Sequence, residues 1–279
     1  MIQIGNYNTL AIVKDLDFGV YLDGGNDLEI LLPARYVPKN VKIGDEIEVF
    51  IYHDNEGRLI ATTLRPKATV GEFCFMRVSS VNETGAFLDW GLMKDLLVPF
   101  REQKATMHED GWYLVYVRLD NVTGRIMASA KVDKFLDNTP PDYSFNQEVD
   151  LLITEETDLG YRVIINNLHW GLIYHSEVFR PLKKGEQLKG YIKEVREDEK
   201  IDVSLTPLGY KKIDGLSGMI LETLKANGGY LAVHDKSDPE QIYALFHCSK
   251  KAFKQAIGLL YKQQMITLER EGIRWVTGD

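Results

Sequence analysis

The sequence has little of what catalytic and metal sites are usually built from. Its two cysteines, Cys74 and Cys248, stand far apart with no second thiol at ligand spacing, which excludes a disulfide framework and leaves no zinc pattern. The six histidines are scattered, with no His-Glu-x-x-His among them, so the commonest helical metal motif is missing. There is no Gly-x-x-x-x-Gly-Lys-Ser/Thr loop and no Gly-x-Ser-x-Gly elbow, the main signals of phosphate-cradling and serine-hydrolase chemistry. The pair Glu155-Glu156 would point to opposite faces of an extended strand rather than share a site. The expectation is a protein that is not an enzyme, with no cofactor, no metal and no small-molecule substrate.

Long apolar runs are also missing, so no membrane span is expected. The first residues, Met1 to Thr9, show no basic stretch leading into an apolar run, so neither a secretory signal nor a transit peptide is expected and the cytoplasm is the natural compartment. Positive charge is in deficit: 33 Lys and Arg stand against 41 Asp and Glu, for a net charge of −8. Tight, indiscriminate binding to phosphate backbones needs the opposite balance. Any nucleic-acid surface must then be local, and single-strand recognition by stacking fits better than duplex binding by charge.

What is present is a repeat. The 279 residues exceed one ordinary core and suggest several domains. Gly19 in Asp17-Phe18-Gly19-Val20-Tyr21-Leu22 recurs as Gly85 in Glu83-Thr84-Gly85-Ala86-Phe87-Leu88, and Pro33 recurs as Pro99, both about 66 residues on. Gly44 recurs at Gly111, and Gly57-Arg58 recurs at Gly124-Arg125, about 67 residues on. A looser third copy carries Gly160 and Gly185-Glu186, about 75 and 74 residues beyond the second. Short runs alternating apolar with polar, separated by Gly, Asn and Asp turns, read as half-buried antiparallel strands, and five per unit suit a small closed barrel. Arg65-Pro66-Lys67 and the stretch from Asp137 through Pro140-Pro141 mark the joins.

Beyond Pro207 the period changes to that of helices, with Ile220, Leu221 and Leu224 on one face. Asp238 reads as an N-cap with Pro239 at the first helical position. Ser249 caps a longer helix with Phe253, Ile257, Leu260 and Tyr261 on one side and lysines on the other. Met265 to Leu268 and Ile273 to Val276 read as a hairpin. The fold class expected is mainly β with an α+β C-terminal domain: three tandem OB-fold barrels of five strands at 1–66, 67–138 and 142–207, then a winged-helix domain at 214–279.

Phe18-Gly19-Val20-Tyr21-Leu22 and Thr84-Gly85-Ala86-Phe87-Leu88 resemble the Phe-Gly-Ala-Phe-Val stretch of S1 domains, the RNA-binding OB domains. Gly171-Leu172-Ile173-Tyr174-His175-Ser176 resembles their Gly-Leu-Val-His-Ile-Ser stretch. Three S1-like units followed by a winged helix, over nearly the whole chain, resemble the conserved virulence factor B family of RNA-binding regulators. That resemblance implies RNA binding and an influence on gene expression after transcription. It also implies stacking positions on either side of the repeated glycine: Phe18 and Tyr21 in the first unit, Thr84 and Phe87 in the second, Leu159 and Arg162 in the third. The histidine position of the family is read onto Leu32, Val98 and Tyr174.

Alternation predicts that Tyr21 points away from Val20 and Leu22. Tyr21 and Phe87 read equally as fillers of barrel ends or of contacts with a neighbouring domain, and for Phe18 that structural reading is the preferred one. In the third unit, stacking is left to Tyr161, Trp170 or Tyr174, with His175 adjacent. Lys183, Lys184, Lys189, Lys193, Arg196, Lys200, Lys211 and Lys212 suggest a phosphate track, with Lys189 and Lys193 on one strand face. Interleaved Glu194, Glu197, Asp198 and Glu199 read instead as a solvated surface. Lys250, Lys251 and Lys254 place charge at the start of the winged-helix domain's longer helix. The partners expected are single-stranded RNA and, through the winged helix, a protein. The alternative function is a protein-interaction adaptor with little nucleic-acid affinity.

Overall fold

Alternation along the chain becomes inside and outside of three small sheets in the computed structural model, which describes residues 2–178, 180–207, 215–262 and 265–276. The first sheet holds β1 (Tyr7–Leu16), β2 (Gly19–Asp23), β3 (Glu29–Pro33), β4 (Glu46–His53) and β5 (Leu59–Thr62). It closes in the order β1-β2-β3-β5-β4, the parallel pair β3 and β5 completing the ring. Val20 and Leu22 are buried inside while Tyr21 between them is half-buried on the outer face, as the period of two requires.

The second sheet repeats this with β6 (Phe73–Asn82), β7 (Gly85–Leu88), β8 (Leu96–Pro99), β9 (Trp112–Leu119) and β10 (Ile126–Ser129). Its order is β10-β9-β6-β7-β8, with β8 and β10 running side by side without a ladder, so this barrel is nearly closed. The third, again closed, comprises β11 (Glu148–Glu156), β12 (Gly160–Ile165), β13 (His169–Tyr174), β14 (Gln187–Val195) and β15 (Ile201–Ser204).

The repeat extends to details that the sequence pattern does not spell out. The long first strand of each barrel carries a bulge against the second, between Ile12 and Lys14, Val78 and Ser80, and Ile153 and Glu155. Each bulge supplies the extra bend that lets one strand serve two neighbours of a tight barrel. The three glycines pair with Pro33, Pro99 and Tyr174. All three have φ between 149° and 156°, and a Cβ there would collide with the carbonyl oxygens of Leu32, Val98 and Ile173. Only glycine fits such a crossing. A single 3-10 turn follows each third strand, at Ala34–Tyr36, Phe100–Glu102 and His175–Glu177.

Residues Met1–Leu205 form one compact unit and Thr206–Asp279 another. Within the first unit the barrels share cores. Phe50 and Tyr52 of the first pack in one cluster with Met76, Trp90 and Val117 of the second. The Phe50 and Trp90 rings meet edge-on at 5.5 Å, and the Trp90 indole N–H donates to the Ala68 carbonyl at 2.8 Å. Phe73, Val132 and Leu136 pack with Leu152 and Ile164 of the third barrel, where the Phe73 N–H donates to Asn167 Oδ1 at 3.1 Å.

The second unit is the expected winged helix. It comprises α1 (Gly215–Ala226), β16 (Tyr230–Leu231), α2 (Pro239–Phe246), α3 (Lys250–Lys262), β17 (Ile266–Glu269) and β18 (Gly272–Trp275). Asp238 caps α2 by accepting from the Glu240 N–H at 2.9 Å, and the Ser249 hydroxyl accepts from the Ala252 N–H at 3.2 Å. Ile220, Leu221, Leu224, Phe253, Ile257 and Leu260 form the core. Tyr261, expected on that face, is 53% exposed: it sits one step past Leu260, which takes the inward position. The short strand β16, which pairs with β18, was not visible in the pattern.

Candidate nucleic-acid interface

Two grooves lie on equivalent outer faces of the second and third barrels, over the second and third strands. The third barrel's groove, about 560 Å³, is built on β12 and β13. Tyr161, Val163, Ile165 and Ile173 fill the barrel, so alternation turns Arg162, Trp170, Leu172 and Tyr174 outward. The Arg162 guanidinium lies over the Trp170 ring, 3.6 Å from its centre, a cation–π contact that also presets a flat surface. Arg162 thus stands where Tyr21 and Phe87 stand in the other two barrels, with an aromatic supplied from the adjacent strand.

The groove's far wall is a charge network. Arg196 donates to both oxygens of Asp202 at 2.7 and 2.8 Å and to the Tyr174 hydroxyl. Asp202 is buried, and this pairing raises the Arg196 pKa through the hydrogen bond first and the charge second. Lys200 donates to Asp198 at 2.6 Å. Of the lining groups, Asp137, Asp198, Glu199 and Asp202 outnumber Arg162, Arg196 and Lys200. Such a groove suits a base held by its π-face better than a phosphate held by charge.

The register between β12 and β13 corrects one assignment. Gly160 faces Tyr174 as Gly19 faces Pro33 and Gly85 faces Pro99. Tyr174 therefore corresponds to the two prolines, while Leu32, Val98 and Ile173 are the buried residues one step earlier. His175 opens the 3-10 turn, with Nε2 3.0 Å from the Thr157 carbonyl and its ring edge-on to Tyr161. It braces the β11–β12 loop and is not among the groove's lining residues.

The second barrel's groove, about 480 Å³, holds Phe87 on its floor and borrows one wall from the first barrel through Tyr52 and His53. Lys94 fastens that wall, donating to the His53 and Asp54 carbonyls at 3.0 and 2.8 Å. Burial and then Arg125 lower the Lys94 pKa, while burial, Lys94 and Arg125 lower that of His53. Lys94, Arg101 and Arg125 face Asp95 and Asp120, so this groove is the more positive of the two. The sequence reading missed Lys94 and Arg101. Arg125 was visible only as a landmark of the repeat, paired with Arg58.

In the first barrel Phe18 is 56% exposed and meets Tyr21 edge-on at 6.2 Å. The suggested lysine track is largely committed. Lys189 lies 2.8 Å from Asp150 and 3.8 Å from Glu148, and Lys193 donates to Glu177 at 2.7 Å. Lys211 and Lys212 lie outside the described residues. In the second unit Lys250, Lys251 and Lys254 begin α3, with Lys254 3.7 Å from Asp235. Among the described residues no cluster of His, Cys, Asp or Glu is placed to hold a metal ion, and no helix is long and apolar enough to cross a membrane.

Comparison with known proteins agrees with the architecture. A profile described as S1 domain matches residues 4–64, and one described as CvfB-like winged helix domain matches residues 218–274. The "uncharacterized protein YitL" of Bacillus subtilis is 31% identical, the alignment covering 95% of this chain and 91% of that protein. Conserved virulence factor B of Staphylococcus epidermidis is 27% identical over 95% and 92% of the two chains. A crystal structure of a multidomain protein with nucleic acid binding domains from Streptococcus pneumoniae is 24% identical over 98% of each chain, with a TM-score of 0.42.

Proposed function

The chain belongs to the conserved virulence factor B family, and from that premise we propose that it is an RNA-binding regulatory protein. It holds single-stranded RNA across its S1-like barrels and influences gene expression after transcription. The observation that carries this reading is the third barrel's groove, where the Trp170–Arg162 stack stands on the outer face of an S1-like sheet. Phe18, Tyr21, Phe87 and Tyr174 offer further π-faces. Stacking is tolerant of sequence because every base has one, which suits a regulator that engages unstructured RNA. In this reading Lys250, Lys251 and Lys254 assist, and Lys189 and Lys193 contribute little until they leave their carboxylates.

Fluorescence anisotropy with labelled unstructured RNA and with duplex DNA tests the proposal. RNA binds and duplex DNA binds more weakly; undetectable RNA binding at low salt overturns the reading. Trp170→Ala lowers RNA affinity by about 1–3 kcal/mol, roughly 5- to 150-fold, in protein shown by circular dichroism to remain folded.

A second reading, a protein-interaction adaptor, is favoured by one feature of the winged helix. The helix α2 leaves Tyr243 and Leu245 exposed, with Tyr243 beside a shallow groove lined by Cys248 and Lys250. It predicts that Tyr21→Ala and Phe87→Ala leave RNA binding unchanged, while residues 214–279 alone capture a protein partner.

A further inference from the structure

We infer that the cleft between the second and third barrels is a second segment of the RNA track, entered from the third barrel's groove over the Arg162–Trp170 pair. The inference rests on the RNA-binding reading and adds to it a site away from the outer strand faces. This cleft, about 270 Å³, shares Arg162 and Trp170 with the larger groove. The two depressions thus meet at one stacked pair.

Beyond that pair the cleft repeats the same chemistry once more and adds an open indole. The Lys184 ammonium lies over the Phe75 ring at 4.9 Å. Trp112, also in the lining, has Lys67 near its ring at 5.9 Å from outside the cleft, where that lysine is held by Asp89 at 2.7 Å. Trp112 is 59% exposed at the start of β9, an indole whose apolar surface serves no core of its own barrel and which costs solvation while uncovered. An aromatic beside a cation is what a nucleotide requires, a π-face for the base and a charge for its phosphate. The carboxylates present, Asp133 and Glu155, are engaged by Lys104 at 3.1 Å and Arg162 at 3.3 Å. They narrow the cleft's charge without closing it. The spacing of cations with rings favours a nucleic-acid strand over an apolar protein segment, for which interleaved charge would be a desolvation cost.

The test uses the full chain and oligouridines of two lengths, about 4 and about 12 nucleotides, the shorter being the small end of what one OB fold covers. Trp112→Ala and Lys184→Glu, both at exposed positions, lower affinity for the longer RNA about fivefold or more and change affinity for the shorter less than about twofold. Longer RNA bound equally by wild type and both variants overturns the cleft while leaving the RNA-binding reading intact. Wild type that binds neither length overturns both. Photo-cross-linking of the longer RNA gives an independent result: adducts on the peptide containing Trp112 support the cleft, and adducts confined to other peptides overturn it. A protein partner lost in Trp112→Ala with RNA binding unchanged assigns the cleft to protein and overturns the inference.

Discussion

His53 shows how much a single residue's behaviour depends on a neighbouring barrel. It ends β4, yet it lines the second barrel's groove, and its Nδ1 is buried without a hydrogen-bond partner. Burial, then Lys94 and Arg125, push its pKa below the ordinary histidine value, outweighing the pull of Asp54. The folded protein therefore takes up this proton less readily than the unfolded chain. Its contribution is present above the unfolded value of about 6.5 and is lost as pH falls below it. Urea unfolding should give a free energy that drops between about pH 7.5 and 5.5, and His53→Gln should flatten that drop. Equal slopes in the two proteins would rule the account out. Outward aromatics such as Tyr21 were legible from alternation alone. The role of His53 was not, because Lys94, its partner in sequence some 41 residues away, reaches it only after two barrels have packed.

At the scale of elements, the repeated glycine is the clearest link between sequence and fold. Its φ and the approach of a facing carbonyl exclude any side chain. Gly160→Ala should cost about 1–3 kcal/mol of stability, read as a lower urea midpoint with an unchanged m-value. A midpoint equal to wild type would mean that the β12–β13 crossing relaxes freely. The landmarks around this glycine held their register because turn geometry and strand pairing both depend on them. The three residues read onto the histidine position do not share one place in the ladder: Tyr174 faces its glycine as Pro33 and Pro99 do, whereas Leu32 and Val98 lie one residue earlier, a step visible only when pairing is counted from the glycine. The missing ladder between β8 and β10 left no trace in composition, since β8 still alternates, burying Leu96 and Val98, and β10 still buries Met127, Ala128 and Ser129.

At the scale of the whole molecule, a net charge of −8 is compatible with the proposed RNA binding because of where the charges sit. Cations beside the third groove are tied to Asp202 and Asp198, and the outer lysines to Asp150 and Glu177. Cations held in this way are poorly placed to displace counterions. RNA affinity measured from about 50 to 500 mM salt should follow a log–log slope near −1, corresponding to one or two phosphates at about −0.7 each. A slope near −5 would place the binding elsewhere, on a strongly basic surface. Domain order and count were legible at this scale because each unit is a short chain segment. Which faces of neighbouring barrels meet was not legible, since it rests on pairs such as Phe50 with Trp90 that no periodicity links.

That pair also bears on how the protein can be dissected. The first barrel matches an S1 domain profile over residues 4–64, and a boundary after it invites separate expression. Cut there, the fragment would carry Phe50 and Tyr52, both buried in the whole chain, on its outer surface. The second barrel would in turn lose the cover over Trp90. Exposed aromatic surface of this kind drives self-association. The smallest piece that keeps its apolar residues out of water at this joint is the first two barrels together, so the evolutionary module and the physical module of this chain are different lengths.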